Sequence, residues 1–135
     1  MTHENKELLF KDLCARLPYG VKIQVNDNIE TVEGINILDN IVEFGTYMAC
    51  DIEDVKPYLF PMSSMTEEQQ NEFDRTYAND MQVVSDNLKN RLDGQPYEMN
   101  LGHYRHIDWC NTHHFDYRGL IEKGLALDAT GLNIY

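Results

Sequence analysis

The chain has 135 residues, a length that suits one domain burying about two-thirds of its unfolded surface and that excludes a multidomain enzyme. A hydrophobic share of 42% is typical of a folded globule rather than of a disordered chain. Eleven Lys and Arg residues against 23 Asp and Glu residues give a formal net charge of −12, which repels nucleic acids and anionic membranes. We therefore expect no direct binding to nucleic acid or to a membrane.

The sequence also indicates a compartment. No apolar run reaches the roughly 18 to 20 residues that cross a bilayer, and the first residues lack the basic and then apolar layout of a signal peptide. The three cysteines, Cys14, Cys50 and Cys110, are odd in number and widely spaced, so reduced thiols are expected. These features predict a cytoplasmic protein.

The first predicted elements are a helix and a strand. The helix covers about residues 4–17 and ends at the Pro-Tyr-Gly sequence of 18–20. Its apolar face consists of residues three or four apart: Phe10, Leu13, Cys14 and Leu17. Residues 21–25 alternate apolar and polar side chains, as in a half-buried strand, and the Asn-Asp-Asn sequence of 26–28 predicts a turn.

More strands are expected up to residue 60. Residues 29–38 are rich in Ile and Val, with Gly34 as a bulge or bend, and Asp39-Asn40 can close a hairpin onto residues 41–50. Residues 51–60 are expected to add either a short further strand or a crossing connection. The pattern predicts a small curled antiparallel β-meander that can close like an SH3 barrel.

A long amphipathic helix is predicted over about residues 66–92. Thr66 at the N-cap and Gln69 three residues later form a capping box, and Gly94 suits the C-terminus. The apolar face repeats every three or four residues: Phe73, Tyr77, Met81, Val84 and Leu88. A helix of this length can bury that face within one chain or against a second copy, so a homodimer is possible.

Two short helices complete the expected fold, one around Arg105–Thr112 and one over about residues 117–125 with Asp116 as its N-cap. The sequence therefore predicts an α+β protein with a single domain over residues 1–135. Residues 1–65 form its helix and β-meander, and residues 66–135 form its helical part.

The negative charge is concentrated in residues 27–86, which carry fourteen acidic and only two basic side chains. One interpretation is a solvated surface that only keeps the protein soluble; the other is a surface that binds a basic protein partner. The carboxylates expected on that surface are Asp27, Glu30, Glu33, Asp39, Glu43, Asp51, Glu53, Asp54, Glu68, Glu72 and Asp80. We favour a non-enzymatic protein-interaction module.

Motifs for catalysis are missing: the sequence has no Gly-rich phosphate loop, nucleophile elbow or His-Glu-x-x-His. We therefore expect no catalytic residue and no cofactor. The exception to weigh is a cluster from His103 to Asp116 that holds four of the five histidines and one cysteine.

A zinc site in that cluster meets a geometric difficulty. Residues 103 to 113 on a straight helix would span about 15 Å, so a single helix cannot supply four ligands to one ion. His106 with Cys110, or Cys110 with His114, could still chelate if further ligands came from elsewhere. The expected alternative is that these histidines cap helices and bond to backbone groups. A small zinc protein or metal-dependent hydrolase remains the second hypothesis.

Three segments resemble those of a group of small uncharacterised proteins from gut Bacteroides-type bacteria, often carried by prophages and other mobile elements. The segments are LPYGVK at 17–22, KPYLFPMSSMTEE at 56–68 and HHFDYRGLIEKGLA at 113–126. The resemblance implies a bacterial or phage cytoplasmic setting and no known activity. In that setting, one form of the interaction module is an inhibitor that mimics nucleic acid and blocks a nucleic-acid-handling defence protein.

Overall fold

The computed structural model describes residues 1–95 and 104–135. They fall into two compact units, one comprising Met1–Ser64 with Asn111–Tyr135 and the other Met65–Cys110. The helices and strands of the described residues are α1 His3–Arg16, β1 Lys22–Val25, β2 Asn28–Asn36, β3 Ile41–Phe44, β4 Met48–Asp51, β5 Val55–Pro61, α2 Glu67–Leu92, α3 Arg105–Thr112, β6 Phe115–Asp116 and β7 Leu127–Asp128. The predicted α+β class is confirmed. No helix in the described ranges is long and apolar enough to cross a membrane.

The first unit is built on a mixed sheet in the order β4-β3-β2-β1-β5-β6, with β7 also paired to β5. Strands β1 to β4 form the predicted antiparallel meander, and β5 runs antiparallel to β1. Both β6 and β7 lie parallel to β5. Within the described residues, β4 is therefore an edge strand at the end of the meander.

The turns of the meander follow its sequence. Val25 pairs with Asn28, so Asn26 and Asp27 form a two-residue hairpin turn, and Asn26 adopts the left-handed conformation at φ 53° that such turns require. The pairing of β2 with β3 shifts register between Val32 and Gly34, which confirms the predicted bulge. This bulge sets the position of Glu33 on the strand.

The core of the first unit lies between α1 and one face of the sheet. Its buried apolar residues include Leu9, Phe10, Leu13, Val21, Ile23, Val32, Val42, Phe44, Ile52, Val55, Leu59 and Leu120. Phe10 and Leu13 are buried as predicted, but Cys14 is exposed, so the prediction that it belongs to the apolar face of α1 is wrong. Leu9 is buried on α1 in its place.

A buried ion pair joins α1 to the C-terminal segment. Arg16 and Asp12 are both fully buried, and Arg16 Nε donates to Asp12 Oδ2 at 2.9 Å. Arg16 Nη2 also donates to the Phe115 carbonyl at 2.6 Å, and Arg118 Nε donates to Asp12 Oδ1 at 3.2 Å. Burial raises the pKa of Asp12, although the two guanidinium groups oppose this effect. Asp12 and Arg16 of α1 thus share one hydrogen-bonded network with Phe115 and Arg118 of the C-terminal segment.

The predicted helix over residues 117–125 is wrong, because this segment consists of turns. Gly119 and Gly124 adopt left-handed φ values of 74° and 72°, which an α-helix cannot accommodate. Asp116 does cap a turn, since its two carboxylate oxygens accept from the backbone N–H groups of Leu120 and Ile121, each at 2.9 Å. The segment packs against the sheet rather than forming a helix of its own.

The second unit contains α2 and most of α3. The predicted capping box is confirmed: the Thr66 hydroxyl accepts from the Gln69 N–H at 3.1 Å, and the Gln69 side chain accepts from the Thr66 N–H at 2.9 Å. The helix over Arg105–Thr112 is also confirmed. On the predicted apolar face of α2, Phe73 is half-buried and packs on Trp109 at 5.7 Å between ring centroids, whereas Tyr77 remains exposed.

Candidate partner-binding surface

Most of the carboxylates predicted to bind a partner lie on the surface of the unit that contains them. The exposed ones are Asp27, Glu33, Asp39, Glu43, Asp51, Glu53 and Asp54 in the first unit, and Glu68 and Glu72 in the second. Glu30 is half-buried, because it pairs across the strands with Ile23 and so shares the core-facing side of the sheet.

Asp80 is a correction to the predicted surface, since it is only 7% exposed. Its Oδ2 accepts from the backbone N–H of His106 at 2.8 Å and lies 2.6 Å from His106 Nδ1. Burial opposes ionisation of Asp80, but the hydrogen bonds from His106 outweigh it and lower the pKa of the carboxyl. Asp80 therefore caps the first turn of α3 and is not available to a partner.

The exposed acidic residues that share one face of the sheet lie at the β4 edge of the meander. Strand β3 alternates its side chains, so Val42 and Phe44 face the core while Glu43 points outward. Ala49 pairs with Glu43, and Asp51 pairs with Ile41, which places both β4 residues on the outer face. The bulge exposes Glu33 on the neighbouring strand.

An open pocket of about 470 Å³ forms at this edge, lined by Glu33, Glu43, Gly45, Tyr47, Met48 and Ala49. Tyr47 is fully exposed at the turn between β3 and β4, where its φ of 63° is left-handed, and Met48 is 56% exposed. Exposed aromatic and Met side chains beside charged groups are typical of protein interfaces. Neither residue was predicted from the sequence, although a tyrosine in a Gly-Thr-Tyr turn between acidic strands was an available signal.

We name the carboxylates of Glu33, Glu43, Asp51 and Asp54 the acidic edge. None of the four has a Lys, Arg, His or N-terminal nitrogen within 4.0 Å among the described residues. Glu53 differs, because it lies 3.2 Å from Lys6 Nζ and 3.6 Å from the N-terminal amine. Its charge is thus partly neutralised within the chain, whereas that of the acidic edge is not.

The field of the acidic edge reaches the neighbouring thiol. Cys50 lies half-buried on β4, on the same side of the sheet as its partner Val42. Burial, together with the carboxylates of Asp54 and Asp51, raises the pKa of the Cys50 thiol. Strand β4 therefore carries a protonated thiol on one face and the carboxylate of Asp51 on the other.

The residues weighed for a metal site are divided between the two units. His106 is held by Asp80 in the second unit, where Cys110 is buried, and His114 belongs to the first unit. His103 lies outside the described residues. In the part of the chain that the structure describes, no group of three or more His, Cys, Asp or Glu side chains is placed to hold a metal ion.

His114 has a different environment from a metal ligand. Its ring stacks on that of Tyr135 with centroids 3.6 Å apart and planes inclined by 13°. The Tyr135 hydroxyl accepts from the Lys22 N–H at 2.8 Å and donates to the Tyr58 carbonyl at 2.7 Å. Burial raises the pKa of Tyr135 to about 12. These two hydrogen bonds hold Tyr135 against β1 and β5.

Comparison with family models, curated proteins and solved structures finds no match for this chain. The resemblance to small proteins of Bacteroides-type bacteria stays a prediction. The candidate surface is defined by its geometry and charge alone.

Proposed function

We propose that this protein is a non-enzymatic interaction module whose acidic edge binds a basic surface of another protein. The observation that carries the proposal is a set of four exposed carboxylates that have no cation within 4.0 Å among the described residues. Two of them, Glu33 and Glu43, line one pocket together with the exposed Tyr47 and Met48. Carboxylates left unpaired on a surface are free to accept charge-assisted hydrogen bonds from Lys and Arg.

The carboxylates and the exposed apolar side chains of this surface would contribute differently to binding. The net charge of −12 would accelerate the encounter with a basic partner, and complementary charges would select against acidic surfaces. Tyr47 and Met48 would supply the apolar contact that slows dissociation once they are covered. Both kinds line the same pocket, so the pocket is the expected centre of the interface.

A narrower form of the proposal is inhibition of a nucleic-acid-binding protein. Carboxylates compete with phosphates for the same Lys and Arg donors, so an acidic surface can occupy a channel made for nucleic acid. This form predicts that added DNA or RNA displaces the partner. A partner that DNA and RNA do not displace would retain the interaction module and discard mimicry.

The proposal is tested by comparing three immobilised forms of the full chain in the lysate of a Bacteroides-type host. One is the wild type, and the second is the triple variant Glu33→Gln, Glu43→Gln and Asp51→Asn. Asparagine retains an acceptor for the Glu53 N–H that Asp51 caps at 2.9 Å. Bound proteins are eluted with salt and quantified by mass spectrometry.

The matched control removes the same number of charges outside the sheet, by Glu4→Gln, Glu7→Gln and Glu122→Gln, all at exposed positions. We expect one basic protein to be retained by the wild type and the control and lost by the triple variant. Equal retention by all three forms would show that the acidic edge is not the binding surface. Circular dichroism checks that each variant is folded.

A further inference from the structure

The acidic edge adjoins an open strand edge. Among the described residues β4 pairs only with β3 and ends the sheet order. In an antiparallel pair, every second residue of the outer strand directs its N–H and C=O groups away from the partner strand. Strand β4 therefore presents backbone hydrogen-bonding groups that an extended chain can use.

The two faces of β4 have different chemistry. Met48 and Cys50 pair with Phe44 and Val42 and lie on the core-facing side of the sheet. The other two β4 residues, Ala49 and Asp51, lie on the outer side, where Ala49 pairs with Glu43 and Asp51 with Ile41. A strand added to β4 would place alternate side chains against an apolar face and an acidic face.

The charge also indicates which chain can occupy this edge. A second copy would bring its own carboxylates opposite those of the acidic edge, and like charges on adjacent strands are unfavourable. A basic segment would instead neutralise them. Ala49 is small, so a long basic side chain on the added strand can cross it toward Glu43, which lies two strand spacings, or about 10 Å, away.

We infer that the occupant of this edge is an extended segment of the partner protein with alternating basic and apolar side chains, which adds a strand to β4. This inference rests on the proposed function and specifies how the partner is recognised. The basic side chains face Glu43 and Asp51, and the apolar side chains cover Met48 and Cys50. Backbone hydrogen bonds supply affinity, and the alternation supplies specificity.

The test uses the peptide acetyl-Gly-Lys-Val-Lys-Val-Lys-Gly-amide, titrated into the ¹⁵N-labelled full chain at low salt. Two further peptides carry backbone N-methyl groups, one on all three lysines and the other on both valines. In an added strand, one of these two sets of N–H groups faces β4 and the other faces solvent. Amide chemical shifts of Met48–Asp51 report the contact.

We expect the parent peptide to shift the β4 amides and one N-methylated peptide to bind about tenfold more weakly, while the other binds like the parent. Glu43→Gln should weaken the parent peptide roughly threefold, and the control Glu122→Gln should leave its affinity unchanged.

If both N-methylated peptides bind like the parent while Glu43→Gln still weakens binding, strand addition is wrong and the acidic interface of the proposed function stands. Absence of any β4 shift with the parent peptide also overturns the inference. Capture with the triple variant then decides the proposed function independently.

Discussion

Protonation of His114 should destabilise the first unit in mild acid. The imidazole is only 9% exposed and stacks on Tyr135. Burial lowers the pKa of His114 from 6.5 to about 4, and the positive charges of Arg16, His113 and Lys22 add to this effect. Among the described residues, the buried His114 Nδ1 has no hydrogen-bond partner that could stabilise the charged ring.

The sign and size of the effect follow from the two pKa values. Since the unfolded chain binds the proton near pH 6.5 and the folded chain only near pH 4, neutral His114 contributes stability above pH 6.5 that is lost as the pH falls toward 4. The difference between 6.5 and about 4 corresponds to about 3 kcal/mol. About 2 kcal/mol of this should be lost between pH 7 and pH 4.5.

Urea unfolding of the wild type and of His114→Phe at pH 7 and pH 4.5 measures this contribution. Phenylalanine keeps an aromatic ring for the stack and cannot be protonated, and any strain at the left-handed φ of 63° is the same at both pH values. The control is His3→Gln, at an exposed position on α1. Equal loss of unfolding free energy in the wild type and His114→Phe would refute the reasoning, as would a reduced loss in His3→Gln alone.

Three other changes test the packing and the acidic edge. Asp12→Ala leaves Arg16 as a buried charge without its carboxylate and should lower the free energy of unfolding by about 3 to 5 kcal/mol in urea, so a loss below about 1 kcal/mol would contradict the buried network. Asp80→Ala removes the cap of α3 and should cost about 1 kcal/mol, seen as faster amide hydrogen exchange in the first turn of α3, whereas unchanged exchange would contradict the capping role. Gly34→Ala places a methyl group against the Glu43 carboxylate, which must move, so partner binding should weaken while the thermal midpoint stays nearly constant. Unchanged binding would show that the position of this carboxylate does not matter.

Local signals in the sequence predicted the meander and the long helix because their determinants are short-range. The alternation of residues 21–25 and the left-handed Asn26 turn define the first hairpin, and the Thr66–Gln69 capping box defines the start of α2. The bulge at Gly34 was also predicted, since glycine in a strand often marks one. Each feature is decided within a few residues of the chain.

The errors concern residues whose environment depends on distant parts of the sequence. The buried pair of Asp12 and Arg16 was not predicted, because its i, i+4 spacing is also that of a solvated helix pair and its third partner, the Phe115 carbonyl, lies 99 residues from Arg16. The sequence around Asp80 is typical of an exposed helix position, and its burial depends on the hydrogen bond that the distant His106 N–H donates to its carboxylate. The turns of residues 117–125 replace a helix because Asp116 closes them and β5 pairs with the short flanking strands. Tertiary contacts overrode local preference at each position.

The same distinction applies to the candidate surface. The acidic composition of residues 27–86 was evident from the sequence, but composition does not show which carboxylates share a face. The bulge at Gly34 and the register of β3 with β4 bring Glu33 and Glu43 to one pocket with Tyr47. The structure thereby places two of the eleven predicted acids, Glu33 and Glu43, in one pocket and removes Asp80 from the surface.

Binding of a basic partner at the acidic edge is tested most directly by the salt dependence of affinity. The protein captured by the wild-type chain is titrated against the wild type and the triple variant Glu33→Gln, Glu43→Gln and Asp51→Asn between roughly 50 and 200 mM salt. We expect the affinity of the wild type to fall steeply with salt, and the triple variant to bind more weakly with a shallower dependence. Equal affinities and equal salt dependence for the two forms would contradict binding at the acidic edge.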